Sequence, residues 1–453
     1  MHESENGMSN PQTAKPSSLL LRDRNFRWYI GNAVVSFLGD QFSIIALPWL
    51  VLKMTGDALI VGTVLAVISV PRALFIFIGG ALVDRYSPKR VLMITKYANM
   101  VLLAVSAILV LTNSLSLWMI YALSLGIGLA SAFGFPSASA IITHVVAPAQ
   151  LAMANRVLMS LRQLTYFLGP LLAGVLIVWL GDGGGTANSV GLGLAFLLDA
   201  ISFGLSAWML SHVEMLTAKD ASPAAGPSRQ HVLKSVAEGF SSCWNDKVLR
   251  ACLLYWPATA LLITGPTQVA VPVLADTLAP HAGAAAFGLM VGAHGAGTLG
   301  GMILSGIKPN LRAGSLGTTL LLTDGLIGLL FILLGLISSP WQGAGLLFLI
   351  GLLAGFMQVS VLTWMQRRVA PAMVGRAMSI FIFIFMGLPP IFAAVTGWVM
   401  QSVALEILFA GCGILRILTV MVAFTTSQMR SVSDTAIGGQ TPLSGDKQNA
   451  GAN

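Results

Sequence analysis

Gly80-Ala-Leu-Val-Asp84-Arg85-Tyr-Ser-Pro-Lys89-Arg90 is a charged turn held between two apolar runs, near 58–83 and 91–112. Each run supplies the roughly 20 mostly apolar residues that an α-helix needs to cross a bilayer. Read outward from this turn, the same alternation fills the chain. Apolar residues make up 56% of the sequence and charged residues only 9%, where a soluble domain carries about 25% charged residues. So few charges cannot cover a water-facing surface, so lipid has to be part of the solvent. In lipid only helices or closed barrels satisfy the backbone. Long Leu/Ile/Val/Phe runs exclude the short alternating strands of a barrel. The expected fold is an all-α membrane protein.

The runs predict twelve transmembrane helices, near 28–52, 58–83, 91–112, 117–143, 154–180, 190–212, 250–275, 285–306, 315–338, 342–366, 374–400 and 404–428. The longest interior break, 213–249, opens as a Pro/Gly/Ala linker. It continues with Val232, Val236 and Phe240 at helical spacing, which predicts an amphipathic helix lying on the cytosolic side. The expected organisation is a cytosolic tail 1–27, a six-helix half 28–212, the linker 213–249, a second six-helix half 250–428 and a disordered tail 429–453.

Placing the basic residues orients these spans. Arg22, Arg24 and Arg27 precede the first span. Arg85, Lys89, Arg90 and Lys96 are assigned to the loop after the second, Arg156 to the loop after the fourth, and Lys219, Arg229, Lys234, Lys247 and Arg250 to the central break. Lys308, Arg312, Arg367, Arg368 and Arg376 fall in later loops of the same side, and only Lys53 lies opposite. The positive-inside rule puts both termini in the cytosol. The net charge of +8 is therefore a topology signal, and no nucleic-acid partner is expected. Cys243, Cys252 and Cys412 have no disulfide or metal spacing. Residues 1–19 are polar, so no cleavable signal peptide is expected. The halves repeat weakly: Gly62 and Gly80 are spaced like Gly288 and Gly306, and Arg156 and Pro170 like Arg376 and Pro390. Two similar six-helix halves suit an alternating-access carrier.

The Gly80–Arg90 turn resembles the signature between helices 2 and 3 of the major facilitator superfamily, a Gly-x-Leu-x-Asp-Arg pattern followed by basic residues. Ser87 and Pro88 depart from it. The resemblance implies a cytosolic gate in which Asp84 faces the start of helix 11 near residues 374–376. A carboxylate at a helix N-terminus gains about 0.3–1 kcal/mol. Gly80, Asp84, Arg85, Lys89, Arg90 and Arg376 are the expected gate residues, and an ordinary basic loop is the plainer alternative. Gly169-Pro170-Leu-Leu-Ala173-Gly174 resembles the helix-5 motif of exporters in the superfamily. Proline kinks a helix and small residues allow close contact, so generic packing explains the same residues. Gly39-Asp40-Gln41, Val70-Pro71-Arg72, Phe135-Pro136 and Ala154-Asn155-Arg156 extend the likeness to the branch holding enterobactin exporters and macrolide efflux proteins, over residues 22–428. That branch implies two six-helix halves, a bacterial inner membrane and export.

Ionisable residues inside the membrane are costly and mark function by default. Asp40 and Arg72 share a depth near mid-bilayer, so they are the expected proton-coupling pair, with a permanent structural ion pair as the alternative. Gln41, Arg162, Tyr166, Gln268, His294 and Gln358 are the candidate substrate-cavity residues. Arg162 has a second reading as the partner of Asp199, and His294 as a packed core residue. Asp324 and Arg416 match in depth and are read as structural. The expected partners are a small-molecule substrate, protons and the bilayer, with no cofactor or metal and a monomeric chain. The expected function is proton-coupled efflux of small amphipathic compounds. Metabolite uptake, lipid flipping and a membrane sensor on a transporter fold are the alternatives. An enzyme is disfavoured because no nucleophile, base or metal cluster is found.

Overall fold

The computed structural model describes residues 20, 22–180, 189–216, 244, 247–308, 311–368, 384 and 387–426. The helices of the first half are α1 (Arg24–Thr55), α2 (Ala58–Arg85), α3 (Pro88–Leu111), α4 (Leu117–Ile141), α5 (Leu151–Leu180) and α6 (Val190–Ser211). Those of the second are α7 (Lys247–Leu278), α8 (Gly283–Ile307), α9 (Leu316–Leu334), α10 (Pro340–Arg368), α11 (Pro389–Val399) and α12 (Leu405–Thr426). Among the described residues ten helices are long and apolar enough to cross a membrane, and Ala58–Arg72 and Pro389–Val399 are shorter apolar segments. The predicted span at 374–400 is therefore described only over its second part. Most of the predicted linker, including its amphipathic helix, lies outside the described residues.

Local chemistry sets the helix ends. The Asp23 carboxylate accepts from the Asn25 N–H at 3.0 Å, satisfying one of the free donors at the start of α1. Gly56 ends that helix at φ 64°, a left-handed conformation that favours glycine, and its N–H reaches Leu52 O at 2.8 Å. Pro88 opens α3, where a missing N–H costs nothing. Lys89 does not extend into the loop. Its ammonium donates to Ser211 O at 2.9 Å and Val213 O at 2.6 Å, capping the carbonyl end of α6.

Within the first half α1 packs on α5 and α6, α2 on α4, and α3 on α4 and α6. Within the second α8 packs on α10, α9 on α12, and α7 on α8, α11 and α12. The halves join mainly where α5 meets α8 and α2 meets α11. Glycine makes both crossings possible. A Cβ on Gly62 would stand 2.6 Å from Ala393 O, and one on Gly288 would strike Pro170 O, so the backbones touch directly. Gly62, Gly288 and Pro170 are positions that the sequence repeat singled out, and Pro390, the counterpart of Pro170, lies on α11 three residues before Ala393. Each half thus uses its second helix to meet the fifth helix of the other. These crossings lie from mid-helix toward the side of the α1–α2 turn, and the ends of α1 and α7 close the same side.

Candidate functional site

The chemistry gathers halfway along the helices of the first half. Asp40 stands near the midpoint of α1, partly buried. Lys96 on α3, Arg162 on α5 and Arg72 on α2 are the cations within electrostatic reach of it. Among the described residues the Asp40 carboxylate takes part in no side-chain hydrogen bond or ion pair. Asp40 and Arg72 are therefore brought near each other but not paired: the Arg72 guanidinium donates to Ser69 Oγ at 3.4 Å, and its side chain is exposed. Arg162 donates to the Tyr166 hydroxyl at 3.0 Å and lies over the rings of Phe37 and Tyr166, at 5.5 and 5.4 Å. It is not in contact with Asp199, so its alternative reading gives way. Cation–π contacts with a one-turn tyrosine hold the guanidinium at the edge of α1 and α5. Tyr166 O also lies against Gly295 of α8, and Gln163 donates to Gly295 O at 3.3 Å. This edge is thus where the two halves meet.

Lys96 corrects the sequence reading most clearly. It is not in a loop but inside α3, 6% exposed, where it donates to Ser206 Oγ of α6 at 2.6 Å. Ser206 in turn donates to Asn32 O and Oδ1 of α1, both at 2.8 Å. Asp199, 1% exposed, accepts from the Ser43 hydroxyl and from Ser202 Oγ at 3.3 Å. Gly39 leaves the space for this: a Cβ there would overlap Ser202 Oγ and lie 2.7 Å from an Asp199 oxygen. The buried face Thr95, Lys96, Asn99 and Ser106 at helical spacing, against exposed Ile94, Tyr97 and Val101, is the signal that could have found it.

The other candidates disperse. Gln41 is 3% exposed and packs against Gly169, in the contact of α1 with α5. Gly174 lies against Ala284 O of α8, where a Cβ would sit 2.6 Å away, so the Gly169-Pro170-Gly174 segment is built into two helix contacts. Gln268 on α7 and Gln358 on α10 are exposed, and His294 on α8 is partly buried. Gly80, Asp84 and Arg85 belong to α2, but their side chains are outside the described set, as is Arg376, so the gate is not described. Arg90 is exposed. Asp324 and Arg416 do pair, at 2.5 Å.

An additional feature closes the α1–α2 turn side. Lys53 Nζ at the end of α1 meets Asp276 Oδ1 near the end of α7 at 2.6 Å, and lies 4.9 Å from the Trp49 ring centroid. A Cβ on Gly283, at the start of α8, would collide with that indole. One lysine and one tryptophan of the first half thus lock onto two helices of the second.

The family model described as Major Facilitator Superfamily matches residues 30–394. An uncharacterized MFS-type transporter, y4rN, of Sinorhizobium fredii (strain NBRC 101917 / NGR234) is 24% identical over 85% of this chain and 91% of its own. The multidrug efflux pump Tap of Mycobacterium bovis (strain BCG / Pasteur 1173P2) is 26% identical over 47% of this chain and 49% of its own. The chain thus spans about half the length of that pump. Among solved structures, the nucleoside transporter NupG matches with a TM-score of 0.65 at 15% identity, over 88% of this chain and 99% of that one. A bacterial homologue of the iron transporter ferroportin, in an inward-facing state, matches with 0.64 at 14% identity, over 88% and 98%.

Proposed function

The chain belongs to the Major Facilitator Superfamily, and from that membership we propose that it exports small amphipathic compounds in exchange for protons, by alternating access. The observation that carries the coupling is Asp40: a mid-membrane carboxylate with three cations in reach and no hydrogen-bond or ion-pair partner among the described residues. Such groups in a membrane mark proton and ion pathways. The partial likeness to a multidrug efflux pump supports export. Arg72 and Arg162 tune Asp40 in this reading, and Arg162, Tyr166, Gln268, His294 and Gln358 line the path, with Gln41 beneath it.

The chain is read as a monomer in the cytoplasmic membrane, with both termini cytosolic by the positive-inside rule. The Lys53–Asp276 lock then belongs to the outer side, which it ties together in the described conformation. Gly80, Asp84, Arg85, Lys89, Arg90 and Arg376 form the opposing cytosolic gate, and the Gly169-Pro170-Gly174 segment flexes α5 during the change.

Everted membrane vesicles with an acidic lumen test this reading against a panel of fluorescent amphipathic dyes. The wild-type chain accumulates dye in the lumen and Asp40→Asn reduces accumulation to that of vesicles lacking the protein. Accumulation that is equal with and without the pH gradient would remove proton coupling, and dye leaving the lumen would reverse the direction.

A further inference from the structure

The two halves carry opposite solutions to one problem. In the second half Asp324 of α9 and Arg416 of α12 form a closed pair. The guanidinium donates to Asp324 Oδ1 at 2.5 Å, to Asp324 O at 3.2 Å and to Thr259 O at 2.7 Å, and the Tyr255 hydroxyl donates to Asp324 Oδ2. In the first half the same helices, third and sixth, carry Lys96 and Asp199, with the signs exchanged. Lys96 lies eight residues past the first residue of α3, and Asp324 eight past that of α9. Asn32 and Tyr255 likewise lie eight past the first residues of α1 and α7.

The first-half pair is not closed. Lys96 rests on a neutral hydroxyl, Ser206, with the Phe203 ring centroid 5.6 Å away. Asp199 rests on two neutral hydroxyls, Ser43 and Ser202. The charged groups facing Asp199 are Asp40 and Lys96, and those facing Lys96 are Asp40 and Asp199. Two carboxylates thus face one ammonium, and because Arg162 and Arg72 also lie within reach of Asp40, Asp199 is the one without a counter-charge of its own. A buried charge lacking its counter-charge is costly, and a carboxylate so placed escapes the cost by holding a proton. Ser202 and Ser206 are one helical turn apart on α6, about 5.4 Å, so the hydroxyl that anchors Lys96 lies one turn beyond the hydroxyl that meets Asp199 Oδ1.

We propose that Asp199 and Lys96 form a second proton-handling pair behind Asp40. In the described state Asp199 is a neutral carboxylic acid and Lys96 is parked on Ser206. When the Asp199 O–H bond breaks and its proton forms an O–H bond on the Asp40 carboxylate, the Lys96 ammonium swings one turn and pairs with the new Asp199 carboxylate. Lys96 keeps its proton throughout, and the net charge of the three groups is unchanged. The use of this step in transport rests on the proton-exchange reading above, but the step itself is measured without a substrate.

The experiment is pH-difference infrared spectroscopy of the purified full-length chain, read at the buried carboxylic-acid C=O stretch. Wild type shows two buried bands, Asp40→Asn retains one, and the double variant Asp199→Asn with Lys96→Met retains only the other. The double variant removes the Lys96 ammonium together with its Asp199 partner, and Asp40 keeps Arg162 and Arg72 within reach; the Asp40→Asn spectrum reads the intact Asp199 carboxyl after one of the two charged groups facing it has been removed. No residual band in Asp40→Asn, or both bands surviving in the double variant, would overturn the proposal. Absence of dye export with both bands present would sink the transport reading alone, and proton-driven export without the Asp199 band would sink this pair alone.

Discussion

Arg416 and Asp324 show what a finished buried ion pair looks like in this molecule. Both are nearly inaccessible, and the guanidinium is shared between a carboxylate and two backbone carbonyls. Breaking one side of such a pair costs about 3–5 kcal/mol, whereas removing both sides is often nearly neutral. Asp324→Asn is therefore expected to lower the thermal unfolding midpoint of the purified protein strongly, and Asp324→Asn with Arg416→Met to recover most of the loss. Equal midpoints for the two variants would show that the pair does not hold α9, α12 and α7 together. Their shared depth was legible from distance along the chain, because a helix converts residue count into depth at 1.5 Å per residue. Lys96 was not legible in this way. It lies close to a basic loop, and a lysine near a helix end can snorkel outward or turn inward. Only the rotation of α3 against α6 decides, and that rotation comes from packing. The same limit kept Asp40 and Arg72 looking like partners: equal depth fixes height in the membrane but not the direction a side chain faces.

At the scale of elements, the limits of the fully described helices followed closely from apolar runs bounded by turn residues, since lipid forces each run into a helix, while the start of the span at 374–400 lies outside the described residues. Contacts between helices were less visible. The repeat of Gly62 with Gly288 and of Pro170 with Pro390 pointed to the two crossings of the halves, α2 with α11 and α5 with α8, without revealing that they were crossings. The Lys53–Asp276 lock was half visible. Lys53 stood out as the basic residue on the sparsely charged side, but its partner lies on another half of the chain, too far in sequence for any local pattern to link them. This contact is partly exposed, so its worth in static stability is small, about 0–1 kcal/mol. Its expected effect is on the balance of conformations. Spin labels at Asp57 and Ala279 report the gap directly. Lys53→Ala is expected to move part of the distance distribution to longer values, and an unchanged distribution would show that the lock does not bias the outer side.

For the whole molecule, membership in the superfamily settles a two-half helical carrier, and the pattern of buried charge suggests how the halves divide the work. Among its described residues the second half closes its buried ion pair. The first half leaves Asp40, Lys96 and Asp199 with more ionisable groups than direct ion pairs, which is the condition for moving a proton. Under the proposed function, this asymmetry is where proton flow is tied to transport. The decisive measurement is the luminal pH of proteoliposomes carrying a pH-sensitive dye, followed while an exported compound enters them. Antiport predicts that the lumen becomes more alkaline as the compound enters, and that Asp40→Asn abolishes the change. Entry of the compound with the luminal pH unmoved would contradict proton exchange at its root.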